Sequence, residues 1–194
     1  MKSVFIGAVA ALGLAFASTA IGAPLKLEPA NPQPGGLKSG LSVKYGYAAQ
    51  GQHIKKLSDA RAVLSSGAQN GKPLRGLDYR DTNIGENTLT SKRAENVAAS
   101  VNGFIRFDKP GVYEIDFFTN DGLIAKIGGQ RVGYFDGRQT CDSTVVTEIE
   151  VPSAGWYDFS AIYFNRLNTS CLMMRWATPG GGMKWVPNNV FGRK

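Results

Sequence analysis

The segment Thr119-Asn120-Asp121-Gly122 carries side chains that are well suited to a chemical role. An amide followed by a carboxylate offers oxygen atoms of the kind that Ca²⁺ takes as ligands. The same residue types are also common in tight turns, because Asn and Asp cap the local backbone and Gly accepts a positive φ. The segment therefore predicts either the acidic corner of a calcium-dependent site or an ordinary turn.

Two further positions could face a ligand. Asp136 offers a carboxylate within a second turn, Asp136-Gly137-Arg138, although a solvated turn is the simpler interpretation. Trp185 lies beside a glycine-rich stretch, and we expect its ring to be exposed and able to stack on a sugar. Trp156 and Trp176 have apolar neighbours in their strands and are predicted to pack in the core.

No catalytic motif stands out in the sequence. The chain has a single histidine, His53, and no G-x-S-x-G segment, so no nucleophile with a neighbouring base is predicted. No pair of carboxylates is singled out for glycoside chemistry either. We therefore expect a binding protein and not an enzyme.

The first 22 residues have the composition of a secretory signal peptide. Lys2 supplies a positive charge, an apolar run covers 4–17, and small residues follow it. That run is too short for a comfortable membrane span, and no later stretch is long and apolar enough. We expect a secreted or periplasmic protein whose mature form has no transmembrane segment.

The mature chain has two cysteines and a moderate positive charge. In an exported protein, Cys141 and Cys171 most simply form one disulfide. Without the signal peptide, 21 basic and 15 acidic residues give a net charge of +6. The basic residues are scattered along the chain, which predicts solvated faces or weak attraction to an anionic cell surface, and no nucleic-acid partner.

The chain divides into a short N-terminal segment and one domain. Residues 23–39 are rich in Pro and Gly and predict a linker or a loosely docked arm, and 40–194 form the domain. Apolar spacing predicts one helix within 53–67. Short alternating runs predict an antiparallel sandwich or barrel, with Val145 and Ile149 on the same face of one strand. The predicted strands are 41–48, 104–108, 112–118, 123–127, 131–135, 144–151, 156–164 and 171–176.

Several motifs occur in a recognisable order. The central run 103–132 reads GFIRFDKPGVYEIDFFTNDGLIAKIGGQRV, and it is followed by GWY at 155–157, RWATPG at 175–180 and WVP at 185–187. The ordered set resembles the protective-antigen domain family, which is named for the N-terminal module of the anthrax-toxin protective antigen and includes flocculin-type adhesins. The resemblance covers roughly residues 40–191 and implies a β-sandwich.

The resemblance also implies a binding site. Sugar-binding members of the family hold calcium at an Asp-Asp pair joined by a cis peptide, and a second loop adds an Asn ligand and selects the sugar. Here the matching residues are Asn120 and Asp121, with Asn168 as the loop ligand and Asn165 and Arg166 beside it. Asn120 in place of Asp removes one formal charge, and Arg166 would repel a cation if it pointed inward.

The prediction is an exported all-β protein, an antiparallel β-sandwich with one short helix and one disulfide. It would bind a glycan or cell-surface polysaccharide, with calcium as a candidate cofactor, using Asn120, Asp121, Asn168, Asn165, Arg166, Asp136 and Trp185. The alternative is a structural or protein-interaction module of the cell envelope without a metal or sugar site. A cis Asn120–Asp121 bond with converging oxygens would favour the first, and a trans bond with Arg166 turned inward would favour the second.

Overall fold

The structure, a computed structural model, describes residues 22–194. Apart from Gly22, the predicted signal peptide lies outside these residues. The elements in chain order are β1 (Leu25–Lys26), β2 (Lys38–Ser39), β3 (Ser42–Tyr47), α1 (Leu57–Ser65), β4 (Gln69–Asn70), β5 (Asp78–Tyr79), β6 (Val97–Phe107), β7 (Gly111–Thr119), β8 (Leu123–Ile127), β9 (Gln130–Phe135), β10 (Asp142–Ser143), β11 (Thr147–Val151), β12 (Gly155–Asn165), β13 (Leu172–Ala177), β14 (Lys184–Trp185), a 3₁₀ turn η1 (Asn188–Val190) and β15 (Phe191–Arg193).

The strands form two sheets that pack face to face. Sheet A has the order β1-β11-β7-β13-β14, with β10 also paired to β7 and β5 to β13. Sheet B has the order β2-β15-β6-β12-β8-β9, with β3 paired to β6 and to β4. Strand β1 runs parallel to β11, and the other named pairs are antiparallel. The predicted all-β fold with one helix and a Cys141–Cys171 disulfide is confirmed.

The core between the sheets follows from the alternation of residues along the strands. Ile115 and Phe117 of β7 are fully buried, and so are Tyr157 and Tyr163 of β12 on the facing sheet. Successive side chains of a strand point to opposite faces, so the intervening polar residues lie on the outside of the sandwich. Burial of these rings and branched side chains is what holds the two sheets together.

Helix α1 packs on the outer face of sheet B and is shorter than predicted. Its buried residues Leu57 and Ala60 contact Ala98 of β6 and Phe164 of β12 within a second, smaller apolar cluster. The helix therefore covers only the end of the sheet where β12 finishes. The rest of that outer face is not covered by the helix.

The structure also differs from the prediction in the N-terminal segment and at Val145. The 23–39 segment is docked along the sandwich, because Leu27 is buried in the main core and its N–H donates to the Glu150 carbonyl at 2.9 Å. Val145 does not share the buried face with Ile149 and is 84% exposed. The ladder of β11 begins only at Thr147, so the alternation of that strand does not extend back to Val145.

No helix within residues 22–194 combines the length and the apolar character needed to cross a bilayer.

Candidate functional site

The turn between β7 and β8 holds Asn120 and Asp121 at one end of the sandwich. Asp121 has a φ of 59°, which the Thr119 hydroxyl helps to fix by donating to the Asp121 carbonyl at 3.2 Å. The Asn120 N–H donates to the Cys171 carbonyl at 3.1 Å, and the Asp121 N–H to the Gln139 carbonyl at 3.2 Å. The turn is therefore tied to the loop before β10 and to the loop before β13.

The Asp121 carboxylate is the central charged group of this end. It is 5% exposed, and its Oδ2 accepts a hydrogen bond from the Arg166 N–H at 2.6 Å. Burial raises the pKa of Asp121 above its ordinary value, while the Arg166 N–H and the charges of Arg166 and Arg138 act in the opposite direction. Arginine charges thus compensate in part for the loss of water around this carboxylate.

The 165–170 loop is held by contacts from both sides. The Asn120 side-chain amide donates to the Thr169 hydroxyl at 3.0 Å, which joins the turn to the loop. On the other side, the Asn168 N–H donates to Glu95 Oε1 at 2.8 Å, and the Asn96 N–H donates to the Arg166 carbonyl at 2.8 Å. Because its backbone is fixed in this way, the loop presents its side chains in a defined arrangement.

Together these segments line one cavity of about 340 Å³, here called the loop-end cavity. It contains one carboxylate, two guanidinium groups and several amide or hydroxyl groups, so it offers both hydrogen-bond donors and acceptors. The disulfide lies directly beside it, since Cys141 follows Thr140 and Cys171 follows Ser170. The lining residues are Asn120, Asp121, Arg138, Gln139, Thr140, Arg166, Leu167, Asn168 and Thr169.

Four of the predicted site residues meet at this cavity, namely Asn120, Asp121, Arg166 and Asn168. Asn165 does not. It is fully buried, and its side-chain amide donates to the Ala94 carbonyl at 2.8 Å and to the Thr88 hydroxyl at 3.1 Å. Its position at the end of β12 points it into the sandwich, where it holds the chain that leads into β6.

Asp136 and Trp185 also lie away from the cavity. Asp136 Oδ1 accepts from the Leu57 N–H at 2.6 Å, so this carboxylate anchors the first turn of α1. Trp185 lies on the outer face of sheet A, with the Arg80 guanidinium 4.3 Å from its ring centroid and the Phe118 ring 5.3 Å away. Trp185 is 38% exposed, as expected, but its ring already contacts Arg80 and Phe118 of this chain.

Sequence reasoning did not select Arg138, Gln139 and Thr140 as lining residues. They follow Gly137 and precede Cys141, so the disulfide to Cys171 brings them beside the 165–170 loop. The predicted disulfide was therefore the signal that could have located them.

The cavity lining offers few of the ligands that calcium prefers. Calcium takes six to eight oxygen ligands and gains affinity from carboxylate charge. Here one carboxylate faces two arginines, and the described part of the chain holds no group of three or more His, Cys, Asp or Glu suited to a metal. Within residues 22–194 the only cis peptide is Asn31–Pro32, so the Asn120–Asp121 bond is trans.

Known structures share this architecture. The PA14 domain of the MpAFP antifreeze protein superposes with a TM-score of 0.68 at 15% identity, over 82% of this chain and 93% of that one. The chain has the PA14 fold. The protective-antigen resemblance seen in the sequence is thereby confirmed at the level of the fold.

Two further PA14-like neighbours are similar to this chain. The PA14 sugar-binding domain of an RTX adhesin gives a TM-score of 0.63 at 15% identity, over 80% of this chain and 99% of that one. The Candida glabrata Epithelial Adhesin 9 A domain, in complex with Galβ1-4GlcNAc, gives 0.65 at 13% identity, over 88% and 95%. No protein-family model matches the sequence, and no curated protein matches it either.

Proposed function

We propose that this protein is an exported carbohydrate-binding module and that a glycan binds in the loop-end cavity through protein side chains, without a metal ion. The observation that carries the proposal is the presence of a nearly buried carboxylate and two arginines in the lining of one cavity. The solved neighbours that bind sugars support the class of ligand.

The cavity chemistry suits sugar hydroxyls, which both donate and accept hydrogen bonds. Asp121 Oδ2 accepts the Arg166 N–H, and a carboxylate has further lone pairs that can accept from a sugar hydroxyl. Arg138 and Arg166 supply donors on the same cavity. Hydrogen bonds to charged groups are the stronger ones, contributing about 1.5–3 kcal/mol each.

Export is part of the same proposal. The disulfide is typical of a protein that folds in an oxidising compartment, and the first 22 residues have signal-peptide composition. A secreted or periplasmic module would meet cell-surface glycans there.

A second candidate is an envelope module that binds a protein partner. Two observations favour it: the Asn120–Asp121 bond is trans, and Arg166 lines the cavity where a cation would otherwise lie. The following experiment separates the two candidates, because only the first requires affinity for isolated glycans.

The test is a glycan array on the oxidised mature protein, followed by calorimetry with the strongest ligand in EDTA and in calcium. Galβ1-4GlcNAc, the sugar held by one solved neighbour, is the first probe. We expect binding to persist in EDTA and to weaken about tenfold or more in Asp121→Ala, from the hydrogen-bond contribution above. Asp108→Ala, at the opposite end of β7, is the matched control.

The pH dependence gives a second readout. Protonated Asp121 loses its negative charge, so binding should weaken as the pH falls through its raised pKa. Binding that requires calcium would instead support the calcium-assisted site that the family resemblance implied. Absence of any glycan ligand would favour the envelope module, to be sought by pull-down from an envelope extract.

A further inference from the structure

The charged residues of the strands are divided unequally between the two sheets. The strands of sheet B carry six basic residues and one acidic residue, a net charge of +5. The strands of sheet A carry three basic and six acidic residues, a net charge of −3. Since the space between the sheets is apolar, these charges set the potential of the two outer faces.

The outer face of sheet B also has the shape of a trough. A cavity of about 300 Å³ lies beside helix α1, and a second of about 350 Å³ lies towards the end of β15. The two cavities share Asn102 of β6 and Ser160 of β12, so they are continuous across the middle of the sheet. We call this continuous surface the sheet B trough.

Small polar side chains form the floor of the trough, and each of its two cavities is also lined by two basic residues. Ser100, Asn102 and Ser160 offer hydroxyl and amide groups along the floor. The basic lining residues are Arg61 and Lys126 in the first cavity and Arg193 and Lys194 in the second, against the single carboxylate of Asp158.

These four basic residues are free of ion pairs. Four ion pairs occur in residues 22–194, and none of them includes Arg61, Lys126, Arg193 or Lys194.

We propose that the sheet B trough binds an extended acidic polysaccharide, as a second surface separate from the loop-end cavity. Its carboxylates or sulfates would contact the unpaired basic side chains, and its hydroxyls would contact the serine and asparagine floor. Crossing from β8 to β3 spans three strand spacings, about 14 Å, so the surface accommodates a stretch of polymer and not a single ion.

A polysaccharide fits this surface better than a nucleic acid. Single-stranded nucleic acids bind by stacking bases on free aromatic rings. Here cations already lie against the aromatic rings of this face, with Lys194 Nζ 5.9 Å from the Phe104 ring centroid and the Arg106 guanidinium 5.5 Å from that of Trp156.

The test compares two variants that change the net charge equally. Arg61→Glu/Lys126→Glu reverses two charges within the trough, and Lys55→Glu/Lys184→Glu reverses two exposed charges outside it. Surface-immobilised heparin and polygalacturonate are the sulfate and carboxylate probes, with neutral dextran as a blank. We expect the trough variant to lose tenfold or more in affinity for at least one acidic probe, and the control less than twofold.

Raising the salt concentration should weaken binding of the unsubstituted protein steeply and that of the trough variant less. Three results would overturn the proposal: an equal loss in both variants, tighter binding of single-stranded DNA than of either polysaccharide, or a molar mass that rises with protein concentration because a second copy occupies the face. Asp121→Ala should bind the acidic probes as the unsubstituted protein does. The trough can therefore fail this test while the loop-end cavity still binds a glycan, and the reverse also holds.

Discussion

The two outer faces of the sandwich handle their charged residues in opposite ways. On sheet A the main cation is neutralised within the chain, since Arg175 holds both oxygens of the nearly buried Asp116 at 3.0 and 2.5 Å. Arg80 pairs with Asp78, and Lys26 with Glu150, on the same sheet. On sheet B, Arg106 pairs with Asp108 at the end of β6. Arg61 of α1 and Lys126 of β8 have no such partner among the described residues.

The difference shows that basic residues of the same type can have two different roles. A cation that covers a buried carboxylate is part of the folded structure, and removing it leaves an unpaired charge in a poorly solvated place. A cation on an open face contributes little to stability and remains free to attract a partner. Stability measurements on the two faces should therefore differ sharply.

The largest expected effect is that of Arg175→Ala. The substitution leaves the Asp116 carboxylate, 1% exposed, without its guanidinium, and we expect a loss of about 3–5 kcal/mol in the free energy of unfolding. Urea unfolding at constant pH measures this loss.

Lys126→Ala on sheet B is the matched control for that comparison. An exposed substitution without an ion pair should change the free energy of unfolding by no more than about 0.5 kcal/mol. Similar losses for Arg175→Ala and Lys126→Ala would abolish the distinction between the two faces.

The next effect concerns the disulfide, which joins two loops that lead into strands of sheet A. Replacing Cys141 and Cys171 with serine opens a loop of 30 residues in sequence separation. We expect a loss of about 3–4 kcal/mol on the chain-entropy model, measured by guanidinium unfolding. Amide hydrogen exchange should accelerate at the start of β13 more than in β6, and uniform acceleration would show that the bridge supports both sheets alike.

Apart from the Lys126→Ala control, the smallest expected effect is that of Asp136→Ala. This carboxylate accepts from the first N–H of α1, and loss of such a cap destabilises a helix by about 1 kcal/mol. Thermal unfolding followed by circular dichroism would detect it. Because α1 carries Arg61 over the sheet B trough, heparin binding should weaken as well. Unchanged heparin binding with reduced stability would mean that Arg61 contributes little to the trough.

Much of the fold is encoded locally and could be predicted. Strands β7, β8, β12 and β13 show the alternation of apolar residues that predicts a strand. The two- and three-residue strands at the sheet edges have no such pattern, because two residues cannot show a period. The first half of β6 was also missed, since Ala98 and Ala99 are too small to signal a strand by hydrophobicity.

The site was less predictable, because its contacts join residues that are distant in sequence. Asp136 is hydrogen-bonded to Leu57 across 79 positions, and Asn165 is hydrogen-bonded to Ala94 across 71. The sequence around Asp136 and Asn165 therefore gives no indication of these partners. The charge distribution was equally hard to predict. The composition gives the net charge of the chain, whereas the concentration of positive charge on sheet B depends on which strands become neighbours.

The long pairing of β6 with β12 has a consequence for synthesis. The two strands match over eleven consecutive residue pairs, yet their ends at Phe107 and Asn165 are far apart in the chain. At about 5–20 residues per second, β6 leaves the ribosome about 3–12 s before its partner is complete. Before β12 is complete, β6 can form its hydrogen bonds to β3, through Val43 and its neighbours, on one edge only. The other edge of the nascent sheet stays open to foreign strands for that interval, so a chaperone that shields it should raise the yield of native protein.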